Sequence, residues 1–241
     1  GMPLDAGVHN ADMLLYLMGP VSSVYAETSI FEPHRTLMPM NEVAPSLAAM
    51  YDHRREEGYL SGDDVEQTAV DTAFGVIRFE SGAIGQLGMT DTSHGQSLGV
   101  STISGSEGTL YRSQSRSGQS PRIIRNDGTE VTGDALLNLV PDFMLDKTTS
   151  ILWDGERRIS SYDMDFRLID SKILAYEYID MVQAAESGGQ PEVGPEEGIQ
   201  ALALAYALVE SGVKGESITL QDVADGLVSF YQDEINTQMG I

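Results

Sequence analysis

Over the first eighteen residues the apolar positions fall at helical spacing, at Leu4, Val8, Ala11, Leu15 and Met18, and Gly19-Pro20 closes the run. The pattern predicts a buried helix that begins almost at residue 1. Residues 21–31 read as a strand. From Glu32 to Glu66 the pattern loosens, with a short exposed helix expected over 48–57, so 32–66 is read as a loop or insertion. Residues 68–79 alternate as a strand, with Val70, Thr72, Phe74, Val76 and Arg78 on one face and Ala73, Gly75, Ile77 and Phe79 on the other. Glu80-Ser81-Gly82-Ala83 is then a hairpin turn and 84–90 the returning strand.

Further strands are expected at 98–103 and 109–112, separated by Gly105-Ser106-Glu107-Gly108, and at 123–125 and 130–132 around Asn126-Asp127-Gly128. A polar stretch covers 113–120. Residues 134–166 carry no clear period, although Trp153-Asp154-Gly155-Glu156 suggests a turn between two short strands. A helix follows over 169–185, its buried side at Ile169, Ile173, Tyr176, Ile179 and Val182 or Met181. A second runs over 195–210 through Ile199, Leu202, Tyr206 and Val209, capped by Ser211-Gly212, and a last one is expected over 223–235. Hairpins bracketed by long helices predict an α+β fold: a large, mostly antiparallel open sheet covered on one face by helices. The βα alternation of a nucleotide-binding fold is missing. The whole of 1–241 is expected to form one domain.

The charge sharpens this picture. Among 241 residues, 14 Lys and Arg stand against 37 Asp and Glu, a net charge of −23. Such a surface repels nucleic acid and anionic membranes, and no basic patch interrupts it. Only Lys147, Lys172 and Lys214 are lysines, a composition shared by salt-adapted and by ordinary acidic proteins. The absence of Cys excludes disulfides, thiolate nucleophiles and cysteine-ligated metals. No apolar run approaches the roughly 20 residues that span a bilayer, and no leader pattern opens the chain. A cytoplasmic location is the expectation.

Candidate chemistry gathers on the first helix. Asp5, His9 and Asp12 fall on roughly one helical face. A carboxylate beside an imidazole can hold its tautomer and tune it as an acid or base; the same trio also reads as a polar helix face. Metal binding by His9 with Asp5 or Asp12 lacks a nearby third His, so no metal site is expected. His94 follows a strand in Asp91-Thr92-Ser93-His94-Gly95, where ligand-contacting loops lie. His34 and His53 read as solvated. Arg35, Arg112 and Arg167 could clamp an anion, but each reads more simply as a surface charge. No Gly-x-Gly-x-x-Gly, Gly-x-Ser-x-Gly or His-Glu-x-x-His motif occurs.

Four blocks together carry a resemblance. They are Asp5-Ala6-Gly7-Val8-His9-Asn10-Ala11-Asp12 with Leu17-Met18-Gly19-Pro20-Val21, then Asp71-Thr72-Ala73-Phe74-Gly75-Val76-Ile77-Arg78-Phe79-Glu80-Ser81-Gly82-Ala83, then Ile103-Ser104-Gly105-Ser106-Glu107-Gly108-Thr109-Leu110, and finally Gly198-Ile199-Gln200-Ala201-Leu202 through Glu210-Ser211. In this order they resemble the C-terminal half of the glucose-fructose oxidoreductase / inositol dehydrogenase / rhizopine-catabolism (Gfo/Idh/MocA) family. The resemblance implies an α+β substrate domain whose open sheet often forms the subunit interface. It implies His9 as the acid/base that exchanges the substrate hydroxyl proton during hydride transfer, and Asp5 as the residue orienting substrate or imidazole. Asp12 and His94 are the substrate-side candidates. The family's NAD- or NADP-binding Rossmann domain and its catalytic Lys, in a Glu-Lys-Pro motif, would lie before residue 1. No cofactor is therefore expected on this chain alone, and NAD or NADP on a longer parent. The expected substrate is a sugar or polyol. The expected assembly is a homo-oligomer through the open sheet face. A standalone, non-enzymatic ligand-binding or assembly protein that kept the fold is the alternative.

Overall fold

Pro3 in the first turn and Gly19-Pro20 at the far end bracket the opening helical segment, which folds as two pieces, α1 (Met2–Asp5) and α2 (Gly7–Met18), joined at Ala6. The computed structural model describes residues 1–36, 64–95 and 99–240. The chain divides into two compact units, one of Gly1–Gly95 with Pro195–Ile241, the other of Gln96–Gly194.

In the first unit, β1 (Val21–Ser29), β4 (Thr72–Phe79) and β5 (Ile84–Thr90) form antiparallel ladders, and β10 (Ile218–Thr219) adds to the free edge of β1, giving the order β10-β1-β4-β5. The hairpin at Glu80–Ala83 is as the sequence predicts, with Phe79 N–H bonded to the Ala83 carbonyl. The ends of the 32–66 segment pair with each other as β2 (His34–Thr36) and β3 (Asp64–Glu66). The helix expected over 48–57, and His53 with it, lie outside the described residues.

Period-two alternation decides which face is inside. Ala73, Ile77 and Phe79 are buried on β4 and Val24 and Ala26 on β1, while Phe74, Val76, Tyr25 and Ile84 are exposed on the opposite face. Among the described residues of this unit, helices cover the first face alone. They are α2, the long α5 (Pro195–Lys214) and the short α6 (Leu220–Ala224), whose Ala11, Ala203, Leu204, Ala207, Leu208 and Leu220 complete the core. Close approach of α5 to the sheet requires Gly75, where a Cβ would collide with the Leu208 side chain. This is the α+β arrangement of an open antiparallel sheet with helices on one face.

Two details of α5 differ from expectation. Ile199 and Leu202 are exposed, whereas Ala201, Ala205 and Leu208 face inward, because small residues allow the helix to lie on the sheet. Nor does it end at Ser211-Gly212. It runs on to Lys214, and Gly215 follows with a φ of +70°. The expected last helix is also two pieces, α6 and α7 (Asp233–Met239), separated by a non-helical stretch.

The second unit is a four-stranded antiparallel meander, β6 (Thr102–Gly105), β7 (Gly108–Tyr111), β8 (Arg122–Arg125) and β9 (Glu130–Thr132). A 3-10 turn (Gly133–Asn138) follows, then α3 (Lys147–Ile151) and α4 (Phe166–Ser187), each capped by an aspartate, Asp146 and Asp165. The strands suggested around Trp153–Glu156 are absent; backbone bonds from Trp153 and Gly155 to the Ser150 carbonyl make this a helical turn instead. Order in the preceding stretch comes from Arg158, whose guanidinium donates to the carbonyls of Leu137, Val140, Pro141 and Phe143.

Candidate functional site

The opening helices set the first candidates on the outside. Pro3, Gly7 and Ala11 are buried at four-residue spacing, so Asp5 and His9 lie on the opposite face and are exposed, with Asp12 half-buried. Gly7 fixes the depth of α2: a Cβ there would stand 2.9 Å from Cε of Met89, near the end of β5. Among the described residues no side-chain hydrogen bond or ion pair engages Asp5, His9 or Asp12. The Asp5–His9 spacing is realised, but the two lie on separate helical pieces and are not bonded to each other.

Beyond β5 the chain enters a dense polar cluster that sequence reading missed. Asp71, just before β4, is 0% exposed. Its carboxylate accepts the backbone N–H of Phe31 at 2.9 Å and of Glu32 at 3.0 Å, and Arg35 stands 3.6 Å away. Burial opposes its ionisation, but the N–H groups of Glu32 and Phe31, the Thr72 hydroxyl and the Arg35 charge outweigh this and hold its carboxyl below the usual range. Arg35 in turn grips Asp91 with two bonds, at 3.0 and 2.7 Å, and its Nε lies 3.5 Å from Glu32. The reading of Arg35 as a surface charge is therefore corrected: its guanidinium is held by three carboxylates.

His94 belongs to the edge of this cluster. Its imidazole Nε2 pairs with Oε1 of Glu32, yet most of the side chain remains exposed. Beside it, the hydroxyls of Thr72, Thr90 and Thr92 bond to one another, Thr90 to each neighbour at 2.8 Å. Three carboxylates around one guanidinium, whose buried Nε has no hydrogen-bond partner among the described residues, leave this end of the sheet acidic. The one hint in the sequence was the run Asp71-Thr72-Ala73, polar residues leading into a buried strand.

A second buried carboxylate, Glu210, lies on α5 and is 1% exposed. It borders a pocket of about 350 Å³ lined by Ile199, Leu202, Ala203, Tyr206, Val223, Ala224, Val228, Ser229 and Gln232. Burial pushes its carboxyl up, against the N–H groups of Tyr231 and Phe230 that favour the charged form.

The described residues offer no cradle for a dinucleotide. Every described strand pair is antiparallel, and no glycine-rich turn leads from a strand into a helix. Among them no group of three or more His, Asp or Glu side chains is placed to hold a metal ion. No described helix is long and apolar enough to cross a membrane.

The fold has clear relatives. A levoglucosan dehydrogenase in complex with NADH and L-sorbose superposes with a TM-score of 0.62 at 23% identity, covering 93% of this chain and 52% of that one. An NAD binding oxidoreductase from Klebsiella pneumoniae gives 0.60 at 20% identity, covering 91% of this chain and 50% of its own. An oxidoreductase domain protein from Kribbella flavida gives 0.59 at 16% identity, covering 91% and 50%. The chain thus spans about half the length of these structures, and at such identities the likeness shows the fold. No curated protein matches the sequence. The sequence model of the oxidoreductase family C-terminal alpha/beta domain matches residues 1–220. With that match over most of its length, the chain belongs to the Gfo/Idh/MocA oxidoreductase family, as its C-terminal domain.

Proposed function

We propose that this chain is the substrate-binding and dimerisation domain of an NAD(P)-dependent sugar or polyol oxidoreductase, with His9 as its proton-transfer group. The observation that carries the reading is the family match over residues 1–220 together with an exposed, uncommitted imidazole on α2. A nicotinamide would supply hydride chemistry when bound, but it belongs to another part of a longer polypeptide.

The work of these residues is then positional and acid–base. His9 takes the proton from a substrate hydroxyl as that carbon is oxidised and returns it in the reverse direction. Asp5, one helical turn earlier, orients the substrate or the imidazole. Asp12 supports the same helix face, and His94, held against Glu32, contacts the substrate from the loop after β5. The open sheet face bearing Tyr25, Phe74, Val76 and Ile84 is the dimer surface, since a second copy removes this apolar area from water.

The test is a screen of sugars and polyols with the chain joined to the coding sequence that precedes it in its gene. Activity is expected with NAD or NADP, and His9→Ala is expected to lower kcat by about 10²–10⁴-fold. Full activity in the His9→Ala protein would remove His9 from this role. A longer polypeptide with no redox activity on any sugar or polyol would favour a non-enzymatic ligand-binding or assembly protein.

A further inference from the structure

The C-terminal stretch after α6 is loosely held. Gly226 leaves α6 with a φ of +70°, and the chain then runs without regular structure to α7. Residues along it are poorly covered: Leu227, Ile235 and Met239 are all exposed. Among the described residues α7 packs closely against no other helix or strand. The polar tie from the core to this stretch is Glu210, whose carboxylate faces the backbone N–H groups of Tyr231 and Phe230. The backbone N–H of Tyr231 donates to Oε2 of Glu210 at 3.0 Å, across from the most deeply buried part of α5. Nearby, the Lys214 ammonium stands 4.6 Å from the Phe230 ring centre.

Burying a carboxylate is costly unless its oxygens are satisfied, and α5 would pack as well with an apolar residue at this position. The next residue, Ser211, shows the local logic. Its hydroxyl accepts the Ala26 N–H at 2.8 Å and donates to the Glu216 carbonyl at 2.6 Å, tying α5 to β1 and to the turn after it. Glu210 makes the corresponding tie in the other direction. It also borders the pocket of about 350 Å³ whose walls are α5 on one side and Val223, Ala224, Val228, Ser229 and Gln232 on the other.

We propose that residues 225–232 form a strap over α5, that the Glu210 carboxylate is its clasp, and that release of this clasp opens the pocket beneath. Glu210 is thus a positioning residue for the strap, separate from the polar cluster around Arg35 and from the proton transfer assigned to His9. Tyr206, half-buried here, and the pocket side of the already exposed Ile199 and Leu202 become fully accessible when the strap lifts.

Amide hydrogen exchange on the full 241-residue chain, read by mass spectrometry, tests the clasp. Glu210→Gln keeps the shape and an acceptor oxygen but loses the charge that strengthens the bond roughly twofold. It should raise exchange at 230–231 by about 3- to 10-fold while amides in β1, β4 and α5 keep their rates. Glu210→Ala should free the whole of 225–232 and increase binding of an apolar fluorescent dye. Unchanged exchange at 230–231 in Glu210→Gln would overturn the proposal. So would a rise spread evenly over the first unit, since Glu210 would then support the fold at large and not the strap.

Discussion

Arg35 sets its two terminal nitrogens on the two carboxylate oxygens of Asp91, at 3.0 and 2.7 Å, joining residues 56 positions apart. This fork ties β2, and through it the β2–β3 pair, to the loop that carries His94. A lysine offers one compact charge and cannot make both bonds. Arg35→Lys should therefore cost about 1–2 kcal/mol, the groups being partly open to solvent. Urea unfolding measures it, and an unchanged midpoint would contradict the assignment.

Asp71 should dominate the acid limb of stability. Its folded carboxyl titrates below the ordinary range, so its contribution is present above the unfolded value of 3.8 and is lost as pH falls through the folded value. Asp71→Asn leaves two backbone donors facing a neutral group and should cost about 2–4 kcal/mol at neutral pH. Below pH 4 the gap between the two proteins should narrow, as thermal melts across pH would show. A gap that stays constant would place the acid sensitivity elsewhere.

Glu210 should act in the opposite sense. Burial raises its carboxyl above the ordinary value of 4.5, with the N–H groups of Tyr231 and Phe230 opposing the rise and Asp233 adding to it; the Tyr206 and Tyr231 phenols lie nearby, and the Lys214 ammonium stands over the Phe230 ring. A raised folded value means stability that is fully present below the unfolded value and lost as pH rises through the folded one. The wild-type chain should therefore gain stability relative to Glu210→Gln as pH is lowered from neutral toward the unfolded value of 4.5. Parallel stability curves over that range would show that Glu210 pays no burial cost.

Phe74, on the uncovered face of β4, is 58% exposed, and its neighbour on that face, Val76, points the same way. A lysine at either place leaves the core untouched. Val76→Lys should convert a dimer into a monomer with an unchanged melting profile by circular dichroism. Light scattering reads the mass, and a wild-type chain that is monomeric at tens of micromolar would remove the dimer surface.

What could be read from the sequence was set by period. β5 and the hairpin before it follow directly from alternation and a Gly-containing turn, and α2 from its four-residue apolar spacing. The inward face of α5 is only partly marked by its large residues: Val209 is buried, but Ile199 and Leu202 are exposed, because close packing on a sheet also selects small residues, here Ala201, Ala205 and Ala207, while Leu208 lies against Gly75. Residues 134–166 were opaque for another reason. Their order rests on four carbonyls gathered by Arg158 and on Trp153 packed at a tilt 5.1 Å from Tyr162, contacts that leave no periodic trace. Of the candidate site, His9, Asp5 and His94 were legible as residue types in a pattern. The cluster of Glu32, Arg35, Asp71 and Asp91 was not, because its members are brought together only by strand pairing.

The most direct test of the central claim is calorimetric titration of NAD and NADP into this chain and, in parallel, into the chain joined to the coding sequence that precedes it. The account predicts binding of one of the two nucleotides by the longer polypeptide and by it alone. Binding by neither protein would contradict the assignment of this chain to the substrate half of an oxidoreductase.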